Sequence, residues 1–248
     1  PVPAVRDWSV VIPAYNEAMR LPAYLKEVVA YFDGRDQPYE VVVVDDGSRD
    51  ATADCVRELA RLHPSVRLHA LPENRGKGCA VRTGMTVASG ALRLMADADG
   101  ATPIVEVKRL EAAMQTGADL AAGSRALPDP SVVVRARTHR KLSGQVWSRL
   151  VRALGVSGVV DTQCGFKLFR GPVADDLFRT LRTDGFGFDV ELLLLAQRRG
   201  YRIVEVPINW TDQPGSKVGV LKDGPRMLAQ IVAARLRLAL TPDPRSAP

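Results

Sequence analysis

Short continuous apolar runs and longer stretches of mixed apolar and polar residues follow each other along the first half of the chain. Short runs rich in β-branched residues, such as residues 9–13, are typical of buried parallel strands. Between these runs, apolar residues recur three or four positions apart, which is the period of an amphipathic helix. The strand–helix order predicts an α/β fold with a doubly wound, mostly parallel sheet. The predicted strands are residues 9–13, 39–44, 66–71, 91–96 and 119–122, and the predicted helices are residues 21–32, 50–62, 78–88 and 103–114.

The second half of the chain has a less regular pattern. Residues 165–169 and 201–208 are predicted strands, and Pro207 favours an edge position for the latter because proline has no N–H to donate. Residues 126–136 are predicted to form a mobile loop. Further helices are predicted at residues 137–154, 189–198 and 222–240.

Polar clusters follow four of the predicted strands at the points where those strands end. The carboxyl ends of parallel strands meet at one edge of a doubly wound sheet, and ligands bind at that edge. We therefore expect the four clusters to form a single site. They are Tyr15-Asn16-Glu17, Asp45-Asp46, Asp97-Ala98-Asp99 and Gly123-Ser124-Arg125.

The most informative cluster is Asp97-Ala98-Asp99, directly after a buried strand. Two carboxylates one residue apart can hold one hard divalent cation together with diphosphate oxygens. A polar turn ending at Gly100 is the structural alternative. At the ligand-binding edge of the sheet the metal interpretation is favoured, and an all-oxygen ligand set predicts Mg²⁺ or Mn²⁺.

Two other segments offer groups for a nucleotide. Pro13, Ala14, Tyr15 and Glu17 could stack on and bond a base, although Asn16 and Glu17 could equally cap a helix. Asp46 is a candidate acceptor for a base or ribose, or the cap of a turn. The glycine-rich stretch with Lys77 at a helix start suits anion binding. It has neither P-loop nor dinucleotide-fingerprint spacing, which argues against an NTPase and a dehydrogenase.

The composition narrows the class of protein only modestly. The 248 residues suit one large domain, and the formal net charge of +6 fits an anionic ligand or membrane surface. Nucleic-acid-binding motifs are missing from the sequence, so no nucleic-acid partner is expected. Three cysteines at wide spacings favour a reducing cytoplasm. The sequence contains neither a signal peptide pattern nor an apolar run that could span a bilayer.

Taken together, the motifs resemble those of family 2 glycosyltransferases, which have a GT-A fold. This resemblance rests on residues 11–17, 44–48, 74–78 and 97–99. Further motifs resemble the dolichyl-phosphate β-glucosyltransferase branch of the family. They are residues 97–102, 123–125, 161–169, 188–192 and 209–211, and the resemblance extends over residues 9–240.

The resemblance implies an inverting transfer of glucose from UDP-glucose to a polyprenyl phosphate, with Mg²⁺ or Mn²⁺. It implies one GT-A domain of residues 1–248, with a Rossmann-like nucleotide-sugar half (1–125), an acceptor half (126–220) and an amphipathic helix with tail (221–248). Pro13, Ala14, Tyr15, Glu17, Asp46, Lys77, Asp97, Ala98 and Asp99 would bind the nucleotide-sugar, and Asp99 with Asp97 would hold the metal.

Four residues are candidates for the catalytic step. Arg125 and Lys217 would add positive charge near the phosphates or the acceptor, with ordinary surface solvation as the alternative. Related family members place a base at the position of Asp189, and Asp161 is a competing candidate. Asp189 could instead cap a helix. A phosphate acceptor is already anionic at neutral pH, because its second pKa is about 6, so a base is not essential.

The acceptor class predicts a cytoplasmic protein, peripheral on the inner face of the membrane. Residues 137–154 and the last helix have apolar stripes with basic rims, which is typical of interfacial helices, although such stripes usually pack on a core. Three alternatives remain: a GDP-mannose-dependent polyprenyl-phosphate mannosyltransferase, a family 2 transferase with a soluble hydroxyl acceptor, and a non-enzymatic nucleotide-sugar sensor. The mannose enzymes tend to carry Gln where this chain has Ala101.

Overall fold

The structure is a computed structural model that describes residues 6–135, 156–215 and 220–240. The helix expected at residues 137–154 and the candidate Lys217 lie outside the described residues.

Seven strands form one central sheet with the order β3-β2-β1-β4-β7-β5-β8. Neighbouring strands are parallel except at β7, which runs antiparallel to both β4 and β5. The α/β class and the mostly parallel sheet are therefore confirmed, and β8 is an edge strand as Pro207 indicated. The strands are β1 (Trp8–Ala14), β2 (Tyr39–Asp45), β3 (Val66–Ala70), β4 (Leu92–Ala96), β5 (Leu120–Ser124), β7 (Phe166–Arg170) and β8 (Ile203–Pro207).

A second, two-stranded sheet pairs β6 (Val134–Arg135) with β9 (Trp210–Thr211) in parallel. Residues 126–136 had been expected to form only a loop, so β6 corrects that expectation. Such short pairing depends on a partner far along the chain, which local sequence does not reveal.

The helices agree with the sequence pattern except in one place. The helix Gly171–Thr180 was not predicted, although Pro172 in its first turn is a recognised start signal. A 3₁₀ turn, Ile104–Glu106, precedes the fourth helix. The helices are α1 (Leu21–Asp33), α2 (Thr52–Leu62), α3 (Lys77–Val87), α4 (Val107–Gln115), α5 (Gly171–Thr180), α6 (Phe188–Arg198) and α7 (Val220–Leu240).

The helices cover both faces of the sheet. Alternate residues of β1 point to opposite faces, so Val10 and Ile12 pack with α1, α2 and α4, whereas Val11 packs with α3, α5 and α6. Ile231 of α7 joins the second cluster. Within the described ranges, no helix combines the length and the apolarity that crossing a membrane requires.

The antiparallel strand β7 shapes the edge where the parallel strands end. Ala96, the last residue of β4, is paired with Phe166, the first residue of β7. The residues before β7 therefore lie beside Asp97, which immediately follows β4. The edge thus receives the segment that leads into β7, in addition to the four clusters that the sequence pattern had indicated.

Candidate active site

The acidic pair Asp97 and Asp99 lies at this carboxyl edge. Asp97 N donates to Gly165 O at 3.1 Å, which joins the pair to the start of β7. A Cβ at Gly165 would lie 2.1–2.3 Å from the Asp97 carboxylate, so only glycine fits there without displacing it. Asp99 Oδ1 accepts Ala101 N at 3.0 Å. Backbone hydrogen bonds therefore fix the main chain of Asp97 and the carboxylate of Asp99 at this edge.

Burial, and next the like charge of Asp97, raise the pKa of Asp99. Two neighbouring carboxylates in a partly desolvated place favour a cation between or beside them. One protein cation is already present, because Lys77 Nζ lies 2.7 Å from Asp97 Oδ1. Burial alone would lower the pKa of Lys77, but Asp97 raises it above the usual value. Lys77 is therefore charged and faces the acidic pair.

The glycine-rich loop that precedes α3 is organised by Asp46. One carboxylate oxygen accepts Arg75 N at 2.8 Å, and the other accepts Gly76 N at 2.8 Å and Asn74 Nδ2 at 3.0 Å. Burial raises the pKa of Asp46, against the opposing effect of the two backbone donors. The described contacts of Asp46 thus shape the loop, while its predicted role toward a base or ribose remains a prediction.

The loop needs glycine at its junction with α3. Gly76 has φ +107°, and a Cβ there would lie 2.5 Å from Asp184 O. Gly76 is the N-cap of α3, and Lys77 is the first residue of that helix. The expected glycine-rich helix start is therefore confirmed, and it lies against the acidic pair through Lys77.

The segment after β1 differs from one expectation. Asn16 has φ +53°, and its Oδ1 accepts Arg49 N at 2.8 Å. Helix α1 begins only at Leu21, so the alternative that Asn16 caps it with Glu17 in the first turn is wrong. Pro13 and Ala14 belong to β1, and Tyr15 follows them as a half-buried side chain.

Arg20 is a residue of this edge that the sequence analysis did not select. Its Nε donates to Glu17 Oε2 at 2.6 Å, and its Nη2 pairs with Glu17 Oε1. Its Nη1 lies 2.9 Å from Pro214 O and 3.8 Å from Asp99 Oδ2. The three-residue spacing between Glu17 and Arg20 is a signal in the sequence for their ion pair. The contacts of Arg20 to Asp99 and Pro214 have no such local signal.

On the other side of the edge, Arg125 forms a bidentate ion pair with Asp161. Arg125 Nε and Nη2 lie 2.7 and 2.8 Å from the two carboxylate oxygens, and Arg125 N donates to the same group at 2.9 Å. The guanidinium carbon also lies 5.4 Å from the ring centre of Trp210. Burial would raise the pKa of Asp161, but Arg125 holds it below the usual value.

Asp189 is paired with a second residue that the sequence analysis missed. Lys167 Nζ lies 2.6 Å from Asp189 Oδ1, and both side chains are buried. A lysine inside the apolar strand β7 was the available signal, since lysine is rarely buried without a partner. Burial raises the pKa of Asp189, although Lys167 and Lys77 oppose this. Gly187 precedes α6 as its N-cap, so Asp189 is not the helix cap.

A comparison with protein families identifies the family to which the chain belongs. The model of glycosyl transferase family 2 matches residues 9–178. The chain belongs to this family. The matched range includes the acidic pair, the glycine-rich loop and the Arg125–Asp161 pair, and the chain is accordingly a glycosyltransferase.

Curated members of glycosyl transferase family 2 resemble almost the whole chain. A dolichyl-phosphate β-glucosyltransferase of Dictyostelium discoideum is 38% identical over 244 residues, covering 94% of this chain and 75% of the relative. The human enzyme of the same name is 38% identical over 245 residues, with coverages of 94% and 76%. That of Saccharomyces cerevisiae is 34% identical over 250 residues, with coverages of 94% and 75%.

Solved structures establish the GT-A fold. Glucosyl-3-phosphoglycerate synthase of Mycobacterium tuberculosis, solved with Mn²⁺, UDP-glucose and phosphoglyceric acid, has a TM-score of 0.67 and 21% identity, covering 96% of this chain and 81% of its own. Mannosyl-3-phosphoglycerate synthase of Rubrobacter xylanophilus has a TM-score of 0.70 and 19% identity, covering 98% and 79%. At these identities the likeness concerns the fold alone.

The donor set of this family 2 site fits a divalent cation bound together with a substrate. In the part of the chain that the structure describes, no group of three or more His, Cys, Asp and Glu forms a metal site by itself. Asp97 and Asp99 offer two carboxylates, and Mg²⁺ commonly takes one or two carboxylates with the remaining ligands from phosphates and water. Ala98 between them is buried and contributes no ligand side chain.

Proposed function

We propose that this family 2 glycosyltransferase transfers glucose from UDP-glucose to a dolichyl-type polyprenyl phosphate, with inversion at the anomeric carbon. The names of the curated relatives support the glucosyl group and the acceptor. UDP-glucose agrees with the ligand named for the mycobacterial synthase of the same fold. The proposal rests mainly on the ion pairs formed by the two candidate bases, Asp161 and Asp189.

The carboxylates of both candidate bases form ion pairs with basic side chains. Each carboxylate oxygen of Asp161 accepts from Arg125, and Asp189 is buried against Lys167. A hydroxyl acceptor needs a group that removes its proton, whereas a phosphate monoester with a second pKa of about 6 is an anion at neutral pH. The paired carboxylates therefore favour a phosphate nucleophile over a hydroxyl.

The charges at the edge match this reaction. Asp99, with Asp97, would hold Mg²⁺ or Mn²⁺, which when bound supplies positive charge that stabilises the leaving diphosphate. Lys77 faces Asp97 from the N-terminus of α3, so its ammonium and the helix N-terminus suit the same diphosphate. Pro13, Ala14, Tyr15, Glu17 and Asp46 are the proposed surroundings of the uridine.

The acceptor side carries its own positive charge. Asp161 raises the pKa of Arg125 against the effect of burial, so the guanidinium is charged at any working pH. It is also fixed by its bidentate pair and by the ring of Trp210. We assign Arg125 to the orientation of the acceptor phosphate, and Lys217 remains a second candidate for the same role.

We further propose that α7 contacts the membrane surface in which a polyprenyl acceptor is anchored. One face of α7 is buried through Met227, Ile231 and Ala234. On the opposite face Val232, Leu236 and Leu240 are 39%, 59% and 84% exposed, at spacings of four residues. Packing on the protein core therefore explains the apolar residues on the buried face of α7 but not those on its exposed face. Arg235 and Arg237 lie on either side of this exposed face. Their positive charge suits an anionic lipid surface at the cytoplasmic side.

An acceptor and donor panel tests the proposed reaction. The purified chain is supplied with UDP-glucose or GDP-mannose, with Mn²⁺ or Mg²⁺, and with a short polyprenyl phosphate or the matching polyprenyl alcohol. We expect UDP release and a glucosylated product with the phosphate only. Turnover of the alcohol, or of a soluble sugar, at a comparable rate would refute the phosphate nucleophile, and GDP release alone would refute the glucose donor.

Vesicle flotation tests the membrane contact. The wild-type chain should float with anionic vesicles at low salt, and Leu236→Glu should reduce the bound fraction. Leu62→Glu is the matched control, because Leu62 is 72% exposed at the end of α2. Equal binding of the two variants, or no binding of the wild type, would contradict the contact through α7.

A further inference from the structure

Arg20 joins three separate parts of the active-site edge. Its guanidinium is held by both carboxylate oxygens of Glu17, which follows β1. Its Nη1 donates to Pro214 O at 2.9 Å and lies 3.8 Å from Asp99 Oδ2. The Arg20 side chain is 19% exposed and its pair with Glu17 is partly buried, whereas the bond to Pro214 O lies at the surface. Arg20 therefore links the segment that follows β1, the acidic pair and the segment that contains Pro214.

That segment, residues 210–215, is named the strap below. Its first part is fixed by backbone contacts, since Trp210 N donates to Val133 O at 3.1 Å and Thr211 N to Ala101 O at 2.9 Å. The Trp210 ring lies against Arg125. Its last part has no N–H at Pro214, and the carbonyl of that residue accepts from Arg20. The strap therefore begins at Trp210, against Arg125, and ends at the guanidinium of Arg20, which lies 3.8 Å from Asp99.

The chemistry of this junction requires the fork of an arginine. Two N–H groups of Arg20 are engaged by Glu17, which orients the plane of the guanidinium and aims Nη1 at the strap. A lysine could keep one charge near Glu17, but its ammonium is a single point and does not present this divided geometry. The positive charge also strengthens the bond to the carbonyl, because charge-assisted hydrogen bonds exceed neutral ones.

We propose that Arg20 is a positioning residue that holds the strap against the Asp97–Asp99 segment and so sets how the acceptor approaches the donor. The inference rests on the proposed function for the identity of the two substrates. The contact between Arg20 and Pro214 is present in the protein without substrates, so this part of the inference does not depend on the proposed function. The variant Arg20→Lys separates the two effects, since it keeps the charge beside Glu17 and loses the link to Pro214.

Amide hydrogen exchange of the ligand-free protein is the direct test. In Arg20→Lys, peptides that cover the strap should exchange about ten-fold faster than in the wild type, because a charge-assisted anchor has been removed. Peptides from the central strands should be unchanged. Arg57→Lys is the control, because Arg57 pairs through a single contact with an acidic residue at the same spacing, Asp54, on the exposed surface of α2. It should leave the strap unchanged.

Steady-state kinetics supply a second readout that a purely structural role would not produce. Arg20→Lys should raise the KM for the polyprenyl phosphate by about five-fold or more while the KM for the donor stays within about two-fold. Unchanged exchange of the strap would overturn the proposal, as would equal increases in both KM values. If no acceptor is turned over by the wild type, the proposed function fails, but the exchange experiment still decides whether Arg20 anchors the strap.

Discussion

Lys167 and Asp189 form an ion pair of 2.6 Å in the interior behind the active-site edge. The lysine belongs to β7 and the aspartate to α6, so the pair joins the sheet to a helix. The ammonium also donates to Cys164 O at 2.6 Å and to Thr162 O at 3.3 Å. It therefore holds the segment that leads into β7 and that lies beside Asp97.

Removal of this lysine should destabilise the protein strongly. Lys167→Met leaves the Asp189 carboxylate buried without its partner, which costs about 3–5 kcal/mol of unfolding free energy. Urea denaturation measures the difference. Lys26→Met, at an exposed position of α1, should change the stability by less than about 0.5 kcal/mol.

The double variant Lys167→Met with Asp189→Leu checks the cause. It removes both charges, so it should recover part of the stability that the single variant loses. A double variant no more stable than Lys167→Met would show that the uncompensated charge is not the source of the loss.

Gly165 should be intolerant of alanine because of its distance to Asp97. A new Cβ would overlap the carboxylate, which must move away from its place at the edge. We expect Gly165→Ala to lower kcat/KM about 100-fold, since small displacements of positioned groups have effects of this size. The Mn²⁺ concentration for half-maximal activity should rise as well. Gly224→Ala, with open space around its Cβ, is the control and should behave as the wild type does.

Asp46→Asn should weaken donor binding through the glycine-rich loop. The asparagine side chain has the same shape but presents one NH₂ group to donors that need an acceptor. We expect the dissociation constant of UDP, measured by calorimetry, to rise about ten-fold, with Asp36→Asn on the surface as control. Unaltered UDP affinity would show that the arrangement of the loop does not depend on this carboxylate.

The Arg125–Asp161 pair should give a defined pH dependence of stability. Arg125 holds the pKa of the folded Asp161 below its unfolded value, so the pair stabilises the protein fully above about pH 4. This contribution is lost as the pH falls through the folded pKa. The stability difference between the wild type and Asp161→Asn should therefore be large at pH 7 and shrink in acid. A constant difference across that range would contradict the charge pairing.

The amino-acid pattern by itself was sufficient for most of the fold. Continuous apolar runs between helices with a period of 3.6 specify the parallel sheet, because strands that are apolar on both faces must be covered by helices on both sides. The same pattern placed Asp46, Asp97 and Arg125 at strand ends, and thus at one edge. The unpredicted strand β6 has two residues and depends on its distant partner β9, whereas the unpredicted helix α5 carries a local start signal at Pro172.

The tertiary structure decided how the charged residues are paired. Asp189 and Asp161 are alike in sequence as carboxylates beside apolar stretches, yet one meets a buried lysine and the other a bidentate arginine. Arg20 reaches Pro214 across 194 positions of the chain. Charge pairing depends on distances of a few ångströms between segments far apart in sequence, and no local period encodes those distances. The residue types at the edge were therefore determined by the sequence alone, whereas which carboxylates remain available for chemistry was determined only by the folded chain.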